Sequence, residues 1–394
     1  MRLTVRKLSI TTVSTLTLLL ALAIPAQAGW EEGVAAFRAQ NYAQAVEEFR
    51  SVVKDQPEWA GGHRMLGQSL LKLERSQEAL THLRKAYDLG PDDVAVQMVL
   101  GQAYVTAGHY RDASELLGQV NVASLPKAQQ GALHQMRAIA LDKTGQPSQA
   151  LQEMGRAVAL SPNSASLQFQ YGTMLFNSGD TAKAVGALEK AASLDSGDAR
   201  KQKAYADTLL RHAREQRGGA KAAAYRKAVS AATRLVSADP SYDHLMLLGS
   251  AQLGAASYGD AAATFERAAS KNSRDWLPLY YIGQAKTLTQ AYDSAAASLQ
   301  KALTLTESSD DRNRIWKQLG FVYEKKKDWN QAKTAYGKAG DAAGVRRVEE
   351  NQQTEEFNVG VDEERAEIEK LEREEAEIEE QLRKLEEGDT PPRG

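Results

Sequence analysis

A short pattern returns nine times along this chain. An alanine is followed four residues later by a bulkier side chain in all but the sixth copy, where Ala232 follows Ala228, and three after that by a further apolar residue, as in Ala45, Phe49 and Val52 or Ala79, Leu83 and Ala86. The alanines that set the register are Ala45, Ala79, Ala113, Ala150, Ala184, Ala228, Ala261, Ala295 and Ala332, separated by 34, 34, 37, 34, 44, 33, 34 and 37 residues. A period of this length defines one supersecondary unit per repeat. Such a unit cannot bury its apolar face alone, so the units must stack in a row.

Upstream of the alanines stand pairs such as Leu66-Gly67, Leu100-Gly101, Tyr171-Gly172, Leu248-Gly249, Ile282-Gly283 and Leu319-Gly320, and Pro57, Pro91 and Pro162 follow three of the units. The last unit is the fullest, with Trp316, Leu319-Gly320, Tyr323, Ala332, Tyr336 and Ala339. This pattern resembles the tetratricopeptide repeat family, a helix-turn-helix of 34 residues. The resemblance implies an all-α fold: a solenoid of about nine helical hairpins over 29–340, wound as a right-handed superhelix. Small residues allow the two helices of a hairpin to cross closely, bulky ones fill the space between hairpins, and proline ends the second helix.

Two kinds of irregularity interrupt the period. The sixth unit, about 198–240, is enlarged; Asp198–Arg217 reads as one long helix, Gly218-Gly219 as its stop and Ala220–Ser237 as the partner helix. Three-residue expansions near Asn121–Lys127 and Thr306–Arg312 are expected to lengthen turns or tilt a neighbour.

Both ends of the chain differ from the repeats. Arg2, Arg6 and Lys7, an uncharged run from Ile10 to Ile24, and Ala26-Gln27-Ala28 before Gly29 form the pattern of a Sec-type signal peptide over 1–28. The uncharged run falls short of the roughly 20 apolar residues of a spanning helix. The expectation is a mature chain exported without a stable membrane span, most simply to a periplasm. The chain has no cysteine, which excludes disulfides, thiolate metal sites and thiol nucleophiles and suits an oxidising compartment.

At the other end a polar connector is expected over 341–360, an acidic heptad helix over 361–388 and a disordered end over 389–394. Val361, Ile368, Leu371, Ile378, Leu382 and Leu385 form a coiled-coil-like seam, with Glu364 and Glu375 at two further seam positions. This segment carries 13 acidic and 5 basic residues, a net of −8. Homo-oligomerisation, docking on a partner or on the array, and a solvated single helix are the alternatives for it.

No recognisable reaction centre stands out. The six histidines form no His-Glu-x-x-His pair, and neither a phosphate-binding glycine loop nor a Gly-x-Ser-x-Gly elbow occurs. No catalysis, cofactor or metal is therefore expected, and a net charge of −2 argues against nucleic acid. The function expected is a protein-protein interaction scaffold of an envelope complex, the alternative a polysaccharide-export or polysaccharide-binding protein.

In the family the first helix of each unit lines a concave groove. Carried onto this sequence, that implies a partner groove containing Phe169, Phe176, Lys203, Asp207, Leu210, Arg211, Met246, Leu253, Tyr280 and Gln284. Each could equally pack helix against helix. From Asp198 to Arg234 ten basic residues face three acidic ones, and this basic sixth unit is a candidate dock for an anionic segment, the chain's own tail included.

Overall fold

The computed structural model describes residues 25–388. The signal segment up to residue 24 and the expected disordered end, 389–394, lie outside the described residues. The chain divides into two units, 1–208 and 209–394, each taken by itself below.

In the first unit the helices are α1 (Pro25–Arg38), α2 (Tyr42–Asp55), α3 (Ala60–Lys72), α4 (Ser76–Leu89), α5 (Val94–Ala107), α6 (Tyr110–Gln119), α7 (Lys127–Lys143), α8 (Pro147–Leu160), α9 (Ala165–Asn177) and α10 (Thr181–Leu194). The division falls within α11 (Ala199–Glu215). The second unit continues with α12 (Gly218–Ala238), α13 (Tyr242–Gly254), α14 (Tyr258–Lys271), α15 (Leu277–Leu288), α16 (Tyr292–Leu303), α17 (Ser309–Lys325), α18 (Trp329–Lys338) and α19 (Ala342–Gly388). Among the described residues there is no strand. The fold is an all-α solenoid of hairpins in which the odd helix is the first of each pair.

Every register alanine lies on the second helix of its pair and is at most 1% exposed. In every pair but the sixth, where Ala232 stands instead, the bulky residue one turn later packs on the first helix where that helix has little or no side chain. A Cβ built on Gly172 would stand 2.6 Å from Leu188, and one on Gly320 would stand 2.8 Å from Tyr336. In the fourth pair Ala138 takes the glycine's place beside Met154, and both are fully buried. Full burial of such bulky side chains contributes about 1.5–3 kcal/mol each.

The turn inside a hairpin reverses the chain through one left-handed residue. It is glycine at Gly108, Gly145 and Gly179, but Gln40, Glu74, Ala256, Gln290 and Lys327 also enter the left-handed region, each at a φ of 61° or 62°. Asn41, Asp180 and Asp328 then cap the second helices by accepting backbone N–H bonds from Gln44, Lys183 and Gln331. Between hairpins a recurrent clip closes the loop. Gln97 and Gln168 donate from Nε2 to the carbonyls of Pro91 and Pro162 at 2.7 and 2.9 Å, and His63 Nε2 lies 2.9 Å from the Pro57 carbonyl.

The irregular units differ in detail from the sequence expectation. In the enlarged sixth unit both helices lengthen, α11 to 17 residues and α12 to 21. The glycine pair does not stop α11, which ends at Glu215; it opens α12, where Gly218 has a φ of +55°. Helices α7 and α17 also run to 17 residues, so the three-residue expansions add helix as well as turn. Arg137 on α7 bridges the altered spacing by donating to the Leu117, Gly118 and Val120 carbonyls at the end of α6.

Residues 341–360 and 361–388, expected as a connector and a separate heptad helix, form one continuous helix, α19. Its first turns dock on the last hairpin. Glu324 of α17 accepts from Tyr336 Oη of α18 at 2.8 Å and from Arg347 Nη2 of α19 at 2.8 Å, while Val348 is fully buried. Gly344 gives Tyr336 room from above, since a Cβ there would lie 2.6 Å from its ring. Gln352 and Glu355 still accept from Lys333 and from Trp329 of α18, and from residue 361 to 384 the helix is exposed.

Candidate functional site

Equivalent positions on successive first helices form ladders. Fifteen residues before the register alanines stand Arg64, Met98, Gln135 and Phe169, and eleven before them stand Gln68, Gln102, Ile139 and Thr173. The first three rungs of both ladders line a cleft of about 470 Å³ between α3, α5 and α7. That volume lies within the usual span of ligand sites.

The cleft wall is aliphatic and amide-rich. Met98, Val99, Val105, Met136 and Ile139 supply apolar surface, Gln68, Gln102, Gln129 and Gln135 supply amides, and Arg64 is the one charged lining residue. No aromatic ring is among the lining residues. Gln135 Nε2 donates to Gln170 Oε1 of α9 at 3.0 Å, which fixes its amide at the edge of the cleft. Arg64 Nε is buried without a hydrogen-bond partner among the described residues. A buried donor left in this state is costly, so it favours any ligand that brings an acceptor.

The residues expected in the groove fall in both units. In the first unit Phe169 and Phe176 are half-buried, Lys201 Nζ lies 6.0 Å from the Phe169 ring, and Lys203 pairs with Asp207 at 2.7 Å across one turn of α11. In the second unit Arg211 is exposed and pairs with Glu215 at 3.5 Å, and Met246 and Leu253 are half-buried against the Phe265 core.

Leu210 and Tyr280 are buried, 6% and 9% exposed. Leu210 therefore packs in the interior instead of lining an open groove. Burial pushes the Tyr280 hydroxyl pKa up, its oxygen accepts from Gln284 Nε2 at 3.0 Å, and the Arg314 guanidinium lies 5.4 Å from its ring. Gln284 is thereby committed to Tyr280.

The cleft residues of α3, α5 and α7 were missed because they are mostly aliphatic and amide side chains that do not stand out in a sequence. The position ladder was nevertheless readable. Moving Phe169 back by one, two and three repeats leads to Gln135, Met98 and Arg64.

The basic sixth unit resolves into two parts. In the first unit Asp198 accepts from Arg200 and Lys201, and Lys201 also reaches Asp195 at 2.9 Å. Hydrogen bonds from Lys201 and then Arg200 hold the Asp198 carboxyl well below the usual range. In the second unit Arg214, Arg217, Lys221, Arg226, Lys227 and Arg234 are all exposed. None of these six has an ion-pair partner among the described residues. The acidic tail forms its ion pairs along its own helix instead, Arg365 with Asp362, Lys370 with Glu374 and Lys384 with Glu380.

A tetratricopeptide repeat model matches residues 31–94, 136–199, 211–275 and 247–311, and a second tetratricopeptide repeat model matches 70–138. No curated protein matches the sequence. Among solved structures the chain is similar to MamA from Desulfovibrio magneticus RS-1, with 19% identity over 45% of this chain and 97% of that one and a TM-score of 0.39. It is also similar to YrrB, described as a TPR protein with an unusual peptide-binding site, with 24% identity over 50% and 94% and a TM-score of 0.40. The APC/C hetero-tetramer Cut9-Hcn1 aligns over 86% of this chain and 93% of its own at 11% identity, with a TM-score of 0.39.

Proposed function

The chain belongs to the tetratricopeptide repeat family, and on that premise we propose that it is an exported scaffold that holds an extended segment of a partner protein in the cleft between α3, α5 and α7. The observation that carries this reading is the cleft's chemistry: aliphatic and thioether side chains, a row of glutamine amides, and the buried, unpartnered Nε of Arg64. Amide side chains can donate to and accept from a peptide backbone at once. Met98 and Met136 present adaptable apolar surface to side chains of varied shape. Arg64 Nε supplies a donor for a carbonyl or carboxylate. A polysaccharide groove would be expected to offer aromatic faces for the apolar side of the sugar rings, and none lines this cleft.

The proposal places the mature protein in the periplasm, on the signal pattern of residues 1–28, and assigns it no chemical step. It gives the second unit a separate role. The six exposed cations from Arg214 to Arg234 support contact with an anionic segment of a partner.

A photocrosslinking residue placed at Gln102, inside the cleft, tests the groove reading in the native host, with Arg111 on the second helix of the same hairpin as the outer-face control. A protein adduct from position 102 and none from 111 is the expected result. An adduct with glycan alone, equal adducts from both positions, or none at 102 would overturn it.

A further inference from the structure

The exposed part of α19 carries an apolar stripe with no cover among the described residues. Phe357, Ile368, Leu371, Ile378 and Leu382 are each more than half exposed, and Val361 is 36% exposed. The Leu385 side chain lies outside the described residues. Five large apolar side chains in this state on one helix mark a contact surface, and the charge pattern around them specifies what can cover it.

With Val361, Ile368, Glu375 and Leu382 at a positions, the d positions are Glu364, Leu371, Ile378 and Leu385. The flanking e and g positions hold Glu367, Glu372, Glu374, Glu379 and Glu386, with only Arg365 and Gln381 departing from acid. A parallel pair of copies would set Glu364 against Glu364 and Glu375 against Glu375 in the seam. It would also oppose Glu367 to Glu372 and Glu374 to Glu379 at the rim. An antiparallel pair gains contacts between Arg365 and Glu379. It then faces Glu372 with Glu372 and Glu374 with Glu374, and it leaves Glu364 and Glu375 opposite Leu382 and Leu371 without a counter-ion. Neither self-pairing neutralises the seam carboxylates, and a buried unpaired charge is strongly unfavourable. An anionic lipid surface would be repelled by the same residues.

We infer that the exposed segment of α19 is one half of a heterotypic coiled coil, whose other half is a basic amphipathic helix of a different protein. That helix would carry Lys or Arg at its e and g positions and a basic residue opposite Glu364 and Glu375. Acidic residues in the seam fix its register, and the rim fixes its sign. This contact is independent of the cleft on α3, α5 and α7, so the two can be tested separately.

The test uses the full mature chain and two synthetic 28-residue helical peptides with Ile at a and Leu at d. One has Lys at e, g and the two positions facing Glu364 and Glu375; the other has Glu at all of them. The chain alone is expected to sediment as a monomer at neutral pH. The basic peptide is expected to bind one-to-one and the acidic peptide at least a hundredfold more weakly. Ile378→Asp, at a side chain 57% exposed, should abolish basic-peptide binding while leaving the thermal midpoint unchanged. Lys substitutions at Glu364 and Glu375 together should weaken it at least tenfold. Self-association at neutral pH that Ile378→Asp abolishes would overturn the inference, as would equal binding of the two peptides or binding that survives Ile378→Asp.

Discussion

Gly101 has no side chain because Leu117 occupies the space: a Cβ on Gly101 would stand 2.2 Å from Leu117 Cδ2. The two residues lie on facing helices of the third hairpin, 16 positions apart, and the same spacing recurs at Gly67 and Leu83 and at Gly283 and Leu299. The repeat period is thus the imprint of one close helix crossing made again and again.

Substituting Gly101→Ala is therefore expected to destabilise the chain by about 1–3 kcal/mol, the range for an overpacked core. Gly186→Ala is the contrasting variant. Gly186 lies within α10 with nothing near its missing Cβ, so alanine should stabilise by about 0.5–1 kcal/mol through helix propensity alone. Urea denaturation followed by circular dichroism checks both signs.

Ala256 ends the turn between α13 and α14 with a φ of 62°. An L side chain in this region costs roughly 1–2 kcal/mol, against which glycine loses part of the gain through its freer unfolded state. Ala256→Gly should raise stability by about 0.5–1 kcal/mol, whereas Gly145→Ala, at a φ of +81°, should lower it. Opposite shifts of the thermal midpoint are the expected outcome.

Acid should loosen the junction of α19 with the last hairpin. Burial by itself would raise the pKa of Glu324, but hydrogen bonds from Arg347 and Tyr336 outweigh it and hold the carboxyl below its ordinary value of 4.5. A carboxylate depressed in the folded state contributes stability that is present above the unfolded pKa and lost as pH falls through the folded one. Hydrogen exchange at the start of α19 should accelerate as pH drops below the ordinary carboxylate range, after correction for intrinsic rates. In Glu324→Gln that acid-dependent increment should shrink but not vanish, because hydrogen bonds from Lys317 and the Gly344 N–H also hold the Asp341 carboxyl at the start of α19 below its ordinary value.

Much of the fold was legible because the packing signal is periodic. Ala45 to Ala332 name the second helix of every pair, and the glycines upstream name the first. What escaped lay where local rules were overridden by context. Gly218-Gly219 looked like a stop but opens α12. The polar run after Ala342 looked like a connector, yet Gly344, Arg347 and Val348 dock it on Tyr336 and let one helix run on through the acidic heptads. At the site, aromatics drew attention to Phe169 and Tyr280. The cleft is built from methionine, valine and glutamine, residue types with no signature outside the position ladder that aligns them, and Tyr280 is held in the core by Gln284 and Arg314.

The central claim is that the first-helix cleft of α3, α5 and α7 binds a linear peptide. Panning a displayed random peptide library against residues 29–394, then titrating the selected peptides by calorimetry, addresses it most directly. The account predicts one-to-one binding that falls at least tenfold in Met98→Asp, which also loses some core packing, and in Gln102→Glu, whose exposed position leaves the thermal midpoint near that of the parent, and is unaffected by Ile378→Asp on α19. Selected peptides that bind Met98→Asp and Gln102→Glu as tightly as the parent chain would contradict it.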